Sequence, residues 1–176
     1  MRPAIFLIGM MGAGKSTVGR LLARRSGFDF VDCDREIEAR SGVTIATIFE
    51  LEGEEGFRRR ESALIDELTQ RARIVLATGG GAILDEENRC HLRDRGLVIY
   101  LRATVDEIVR RTQKDRARPL LQTSDRRARI VRLLAERESL YSQAAHVIVQ
   151  SNAGNPNRLT AKLMEDPRVV AALAAG

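Results

Sequence analysis

The sequence predicts an α/β fold in which a parallel sheet is covered by helices on both faces. Three observations carry this expectation. Short runs rich in apolar and β-branched residues alternate with helical stretches, as in βα repeats. The run Leu97-Val98-Ile99-Tyr100-Leu101 lacks the polar alternation of a half-exposed strand and suits one covered on both sides. A glycine-rich loop stands between the first strand-like run and the first helical one. At 176 residues the chain is expected to be one domain, 1–176, large enough to fold without disulfide or metal staples.

Strands are expected at Ala4 to Ile8, Asp29 to Asp32, Ile74 to Ala77, Leu97 to Leu101 and His146 to Val149. The first helix places Val18, Leu21 and Leu22 on one face and stops at Gly27. Further helices are expected at Arg35 to Ser41, Glu55 to Arg71, Glu86 to Arg95, Val105 to Thr112, Asp125 to Ser142 and Pro156 to Glu165. The helical pattern fails between Thr112 and Ser124, where charged residues crowd Pro119, so a mobile loop is expected over about 112–124. The Ala-rich tail, about 165–176, is expected to fray from Val169 onward.

Composition limits the function classes. No apolar run approaches the roughly 20 residues that span a bilayer, and Met1 to Gly9 leads into Gly-Met-Met-Gly rather than a cleavage site, so a cytoplasmic location is expected with no membrane partner. Cys33 and Cys90 are isolated and suggest neither a zinc site nor a disulfide. The net charge of +5 is uneven: Arg102 to Arg137 holds eleven basic residues against five acidic ones. Such an excess suits nucleic acid, an anionic membrane or small anionic ligands, and composition does not choose among them.

Gly9-Met10-Met11-Gly12-Ala13-Gly14-Lys15-Ser16 matches G-x-x-x-x-G-K-[ST] at the strand-to-helix junction that this motif requires. The backbone N–H groups of such a loop surround phosphate oxygens, and the helix N-terminus adds a favourable field. Gly12, Ala13, Gly14, Lys15, Ser16 and Thr17 are therefore the expected nucleoside-triphosphate cradle, with Lys15 on the β and γ phosphates and Ser16 on Mg²⁺.

The acceptor site must come from elsewhere. Asp32-Cys33-Asp34 closes the second strand, and alternation along an extended backbone would point both carboxylates toward the phosphates, although such a pair also serves as a helix cap. Arg58 and Glu61 share a helix face, either as a weak surface ion pair or as a carboxylate oriented to hold a guanidinium for bidentate binding. Thr78-Gly79-Gly80-Gly81 ends the third strand, either as a tight turn or as backbone that something approaches closely.

The order of these motifs, with Arg118-Pro119-Leu120-Leu121 and Arg137 before Leu140-Tyr141, resembles the shikimate kinase family over about Ala4 to Met164. The resemblance implies a P-loop NTPase fold of the nucleoside-monophosphate-kinase type, layered, with a five-stranded parallel sheet in the order 2-3-1-4-5 and a lid over 112–124. It implies phosphoryl transfer from ATP to the 3-hydroxyl of shikimate, a step of aromatic amino-acid biosynthesis toward chorismate. By the same resemblance Asp32 lies near Mg²⁺ through water, Asp34 meets the ring hydroxyls, and Arg58 with Arg137 holds the carboxylate. Glu61 supports Arg58 within a substrate-binding helical region of about 33–61, and Gly80 with Gly81 forms the pocket's backbone wall. Arg118 reaches the transferring phosphates, and Arg111 with Pro156 sandwiches adenine. The third strand ends Leu76-Ala77-Thr78 with no acidic residue for the metal, so Asp32 on the neighbouring strand is expected to supply that charge. A monomer with no nucleic-acid partner completes the expectation.

Overall fold

The computed structural model describes residues 3–113, 125–151 and 154–175. The sheet contains β1 (Ala4–Ile8), β2 (Asp29–Asp32), β3 (Ile74–Ala77), β4 (Leu97–Arg102) and β5 (Val147–Gln150). Every pairing is parallel and the order is β2-β3-β1-β4-β5. β1 and β3 are buried along their whole length, as unalternated apolar strands should be. Each Leu, Ile or Phe removed from water in this way contributes about 1.5–3 kcal/mol.

The helices are α1 (Lys15–Ser26), α2 (Cys33–Ser41), α3 (Ile45–Thr69), α4 (Glu86–Arg95), α5 (Val105–Thr112), α6 (Arg126–Ala144), α7 (Pro156–Glu165) and α8 (Pro167–Ala174). Their starts follow from capping chemistry. Thr44, Asp85, Thr104, Asp125, Asn155 and Asp166 each accept a backbone N–H of the following turn, and Pro156 and Pro167 open the last two helices. α1 packs on β1, β2 and β3, α8 on β1 and β4, and α4 and α6 on β4.

Three expectations change. α3 begins at Ile45 rather than Glu55, because Gly53 (φ 70°, ψ −178°) joins two helical pieces through a kink. The tail beyond Asp166 folds as α8 instead of fraying, since Val169 and Ala172 are buried against the sheet. Asp34 lies in the first turn of α2, not in extended chain, because the helix starts immediately after the Asp32 cap. Of the expected lid over about 112–124, residues 114–124, with Arg118, lie outside the described residues.

Register places the site. Leu7 and Asp32 both pair with Ala77, and Ile8 pairs with Tyr100, so β1, β2 and β3 end at one level. The glycine-rich loop, Asp32 and the Thr78–Gly81 segment therefore meet at the carboxyl edge of the sheet, where α/β folds place ligands.

Candidate active site

One cavity of about 580 Å³ opens at this edge. On one side lies the phosphate loop. Gly9, Gly12 and Gly14 all adopt positive φ, which lets the loop curl above the start of α1 without Cβ strain. The Lys15 ammonium is held inside by the loop's own carbonyls, donating to Gly9 O at 2.8 Å and Met10 O at 2.9 Å. The Ser16 hydroxyl donates to the Asp32 carboxylate, which also caps α2. Asp32 thus caps α2 and also lines the cavity, so the cap does not remove it from the candidate site.

Across the cavity, Glu61 of α3 is fully buried and Arg58 is mostly so, and their side chains meet at 2.5 Å. The surface-pair reading is therefore set aside. Burial pushes the Glu61 carboxyl up to about 7, against the pull of Arg58, while the Asp34 charge adds to the rise. Burial works against the charged Arg58 guanidinium, but Glu61 and Glu54 outweigh it and keep the group firmly protonated.

The glycine run explains how these groups fit. A Cβ on Gly79 would stand 2.1 Å from Glu61 Oε1 and 3.1 Å from Asp34 Oδ1. One on Gly81 would stand 2.2 Å from Arg58 Nη2. These side chains occupy the space that any other residue would need, so the run is a wall under close approach and not merely a turn. Arg137 of α6 reaches the same wall, donating through Nη1 to Gly80 O at 3.3 Å. Among the described residues, Arg58 Nε, Arg137 Nε and Glu61 Oε1 are buried without a hydrogen-bond partner. Orphaned buried groups of this kind are costly in a folded chain and point to a polar ligand.

The cavity wall thus unites Gly12, Gly14, Lys15, Ser16, Thr17, Asp32, Asp34, Arg58, Glu61, Gly80, Gly81, Arg111 and Arg137. Arg111 donates to Gly12 O at 3.1 Å and pairs with Glu107 at 2.5 Å, which fixes it beside the phosphate loop. Ala13, within that loop, is fully buried. Pro156 stands exposed at the start of α7 and is not among the described residues of the wall. Sequence reasoning left unassigned Ile45, Phe49 and Phe57, which give the wall an apolar side; Phe49 and Phe57 lie with ring centroids 5.0 Å apart. It also left out Ser151, whose hydroxyl donates to Ala13 O at 2.5 Å and ties the end of β5 to the phosphate loop.

A family model described as Shikimate kinase matches residues 11–167. The chain belongs to the shikimate kinase family. It is 55% identical over 161 residues to a shikimate kinase of Nitrosospira multiformis, covering 92% of this chain and 83% of that protein. It is 58% identical over 149 residues to a shikimate kinase of Bordetella avium, covering 85% of this chain and 71% of that one. The structure of shikimate kinase from Acinetobacter baumannii in complex with shikimate superposes with a TM-score of 0.92 at 47% identity, over 94% of this chain and 92% of that chain. A gluconokinase of Sinorhizobium meliloti, at 17% identity and a TM-score of 0.53, shares the fold alone. Membership in the shikimate kinase family agrees with the order of motifs read from the sequence and makes the chain a phosphotransferase enzyme with ATP as co-substrate.

Proposed function

We propose that this chain transfers the γ-phosphoryl group of ATP to the 3-hydroxyl of shikimate, giving shikimate 3-phosphate and ADP on the route to chorismate and the aromatic amino acids. The carrying observation is that one cavity is lined both by the phosphate loop and by the cluster of Asp34, Arg58, Glu61 and Arg137 around a glycine wall. That cluster offers two guanidinium groups for a carboxylate and one carboxylate for hydroxyls, which are the polar groups of shikimate.

In this reading Lys15 exchanges the Gly9 and Met10 carbonyls for the β and γ phosphates, while the N–H groups of the loop from Gly12 to Thr17 hold the remaining oxygens. Arg58, held by Glu61, and Arg137 bind the shikimate carboxylate and so fix the ring's distance from the phosphates. Asp34 accepts the hydrogen bond of the attacking hydroxyl. As the new O–P bond forms and the bond to the β-phosphate oxygen breaks, the hydroxyl proton passes toward Asp34, and because the transition state is loose its transfer is late. Gly80 and Gly81 form the wall behind the ring. Arg118 neutralises the transferring group, an assignment that rests on motif order alone, as does the pairing of Pro156 with Arg111 around adenine.

Ser16 and Asp32 present hydroxyl and carboxylate oxygens side by side next to the phosphate loop, a donor set that fits a hard divalent cation such as Mg²⁺. Ser16 would hold the ion directly and Asp32 through water, and the ion would supply charge neutralisation to the phosphates. No described helix is long and apolar enough to cross a membrane. Both cysteines are free, with Cys33 fully buried, which supports a reducing, cytoplasmic setting. Two anionic substrates give the basic residues a use without nucleic acid.

The test is Asp34→Asn. Turnover with shikimate should fall roughly 10²-fold or more, while ATP affinity measured by calorimetry stays within about twofold of wild type. An equal loss of ATP affinity would make Asp34 part of the metal site and overturn its assignment to the acceptor.

A further inference from the structure

Tyr141, one turn beyond Arg137 on α6, takes no part in the scheme above, yet it is fully buried and its hydroxyl donates to Gly80 O at 2.5 Å. Arg137 Nη1 donates to the same oxygen at 3.3 Å, so one carbonyl of the glycine wall has two donors. The guanidinium also lies against the Tyr141 hydroxyl. Burial pushes that phenol well above its ordinary range, so it remains a donor across the whole working pH range. The Tyr141 ring stacks on Tyr100 with centroids 4.9 Å apart and planes inclined by 22°. The Tyr100 hydroxyl turns away to Glu138 at 2.5 Å.

We propose that Tyr141 is a positioning residue for substrate binding: its hydroxyl holds the Gly80 carbonyl so that Arg137 is free to turn its guanidinium onto the substrate carboxylate. The inference rests on the assignment of Arg137 to that carboxylate. Bidentate binding needs two N–H groups of one planar fork, and where Nη1 is one of them Arg137 gives up its long bond to Gly80 as shikimate enters. With Tyr141 in place, the carbonyl keeps its shorter bond and nothing is orphaned. Without the hydroxyl, Arg137 becomes the carbonyl's remaining donor, and binding through Nη1 leaves a half-buried carbonyl without its protein donor or a carboxylate half-held. The hydroxyl therefore acts on the free-to-bound step. Because the carboxylate is held equally in the ground and transition states, its loss appears in KM and not in kcat.

Tyr141→Phe keeps the ring and its stacking and removes only the hydroxyl. It should raise KM for shikimate roughly tenfold while kcat stays within about twofold. The matched control is Tyr100→Phe, which removes a neighbouring hydroxyl bonded to Glu138 and away from Gly80, and which should leave both constants unchanged. Thermal melts of the two variants separate lost stability from lost positioning. A shikimate analogue with hydrogen in place of the carboxylate makes no demand on Arg137, so wild type and Tyr141→Phe should bind it equally in calorimetry. If Tyr141→Phe melts lower but keeps wild-type KM for shikimate, the hydroxyl serves stability alone and the inference is wrong. Arg137→Met tests the underlying assignment separately. It should weaken binding of shikimate and not of the analogue; equal weakening of both would remove the carboxylate from Arg137 and the inference with it.

Discussion

Gly79→Ala adds one methyl group at the most crowded point of the site. The new Cβ would stand 2.1 Å from Glu61 Oε1, so the carboxylate must retreat by about 1.3 Å to restore an ordinary 3.4 Å contact. Glu61 has nowhere exposed to go, and it is bonded to Arg58 at 2.5 Å. A retreat of that size away from Arg58 stretches the bond past hydrogen-bonding range and releases the guanidinium from its position. Overpacking of this kind costs about 1–3 kcal/mol of stability, which for a chain of this length is a fall in Tm of several degrees. Loss of the charge-assisted bond that orients Arg58 should also lower kcat/KM for shikimate roughly ten- to a hundredfold, with KM for ATP almost unchanged. Steady-state kinetics in both substrates, with a thermal melt, measure all three quantities. A variant with wild-type Tm and kcat/KM within about twofold of wild type would show that Glu61 yields without dragging Arg58, and the coupling inferred between the glycine wall and the carboxylate grip would be refuted.

Further predictions concern Glu61 and the tail. Folding raises the Glu61 carboxyl from its ordinary 4.5 to about 7, so the native state favours the protonated form; this contribution is complete below about pH 4.5 and is lost as pH rises through about 7. Relative to Glu61→Gln, the wild type should therefore lose roughly 2 kcal/mol between pH 5 and pH 8 in urea melts. Parallel pH profiles for the two proteins would mean that Glu61 is not held in a buried, ionisation-resistant state. Val169 is fully buried on the inner face of α8, whereas Val170 is about half exposed. Val169→Ala should cost roughly 1–3 kcal/mol and Val170→Ala under about 0.5 kcal/mol. Equal urea midpoints for both variants would undock α8 from the sheet.

Much of the fold was legible because parallel strands carry a strong local signal. β1, β2 and β3 begin and end where the apolar runs do, and β4 and β5 differ by one residue at their ends. The phosphate loop was legible because glycine, lysine and serine are required there at fixed spacing in chain order. What was missed depended on tertiary placement. The first half of α3 was hidden because Gly53 breaks the pattern that continues beyond it. α8 did carry a local signal, Asp166 followed by Pro167, but its short Ala-rich run read as a loose end until the sheet surface that buries Val169 was known. Asp32 and Asp34 were placed on the correct edge by an incorrect route, since a capped helix and not strand alternation brings them together. Burial decides between a surface pair and a site for Arg58 and Glu61, and burial is fixed by the glycine wall some twenty residues away in sequence. Tyr141 stood in the motif order after Arg137 but without a role, because the contact of its hydroxyl is with a carbonyl 61 positions earlier.

The central claim is that this cavity phosphorylates shikimate at the expense of ATP, and the most direct test is ADP release measured by a coupled assay with different acceptors. Shikimate, gluconate, nucleoside monophosphates and an acceptor-free blank should each be supplied with ATP and Mg²⁺. Rapid ADP release that depends on shikimate, with the other acceptors close to the blank, is the predicted result. Release that depends on gluconate or a nucleoside monophosphate, with shikimate no better than the blank, would contradict it.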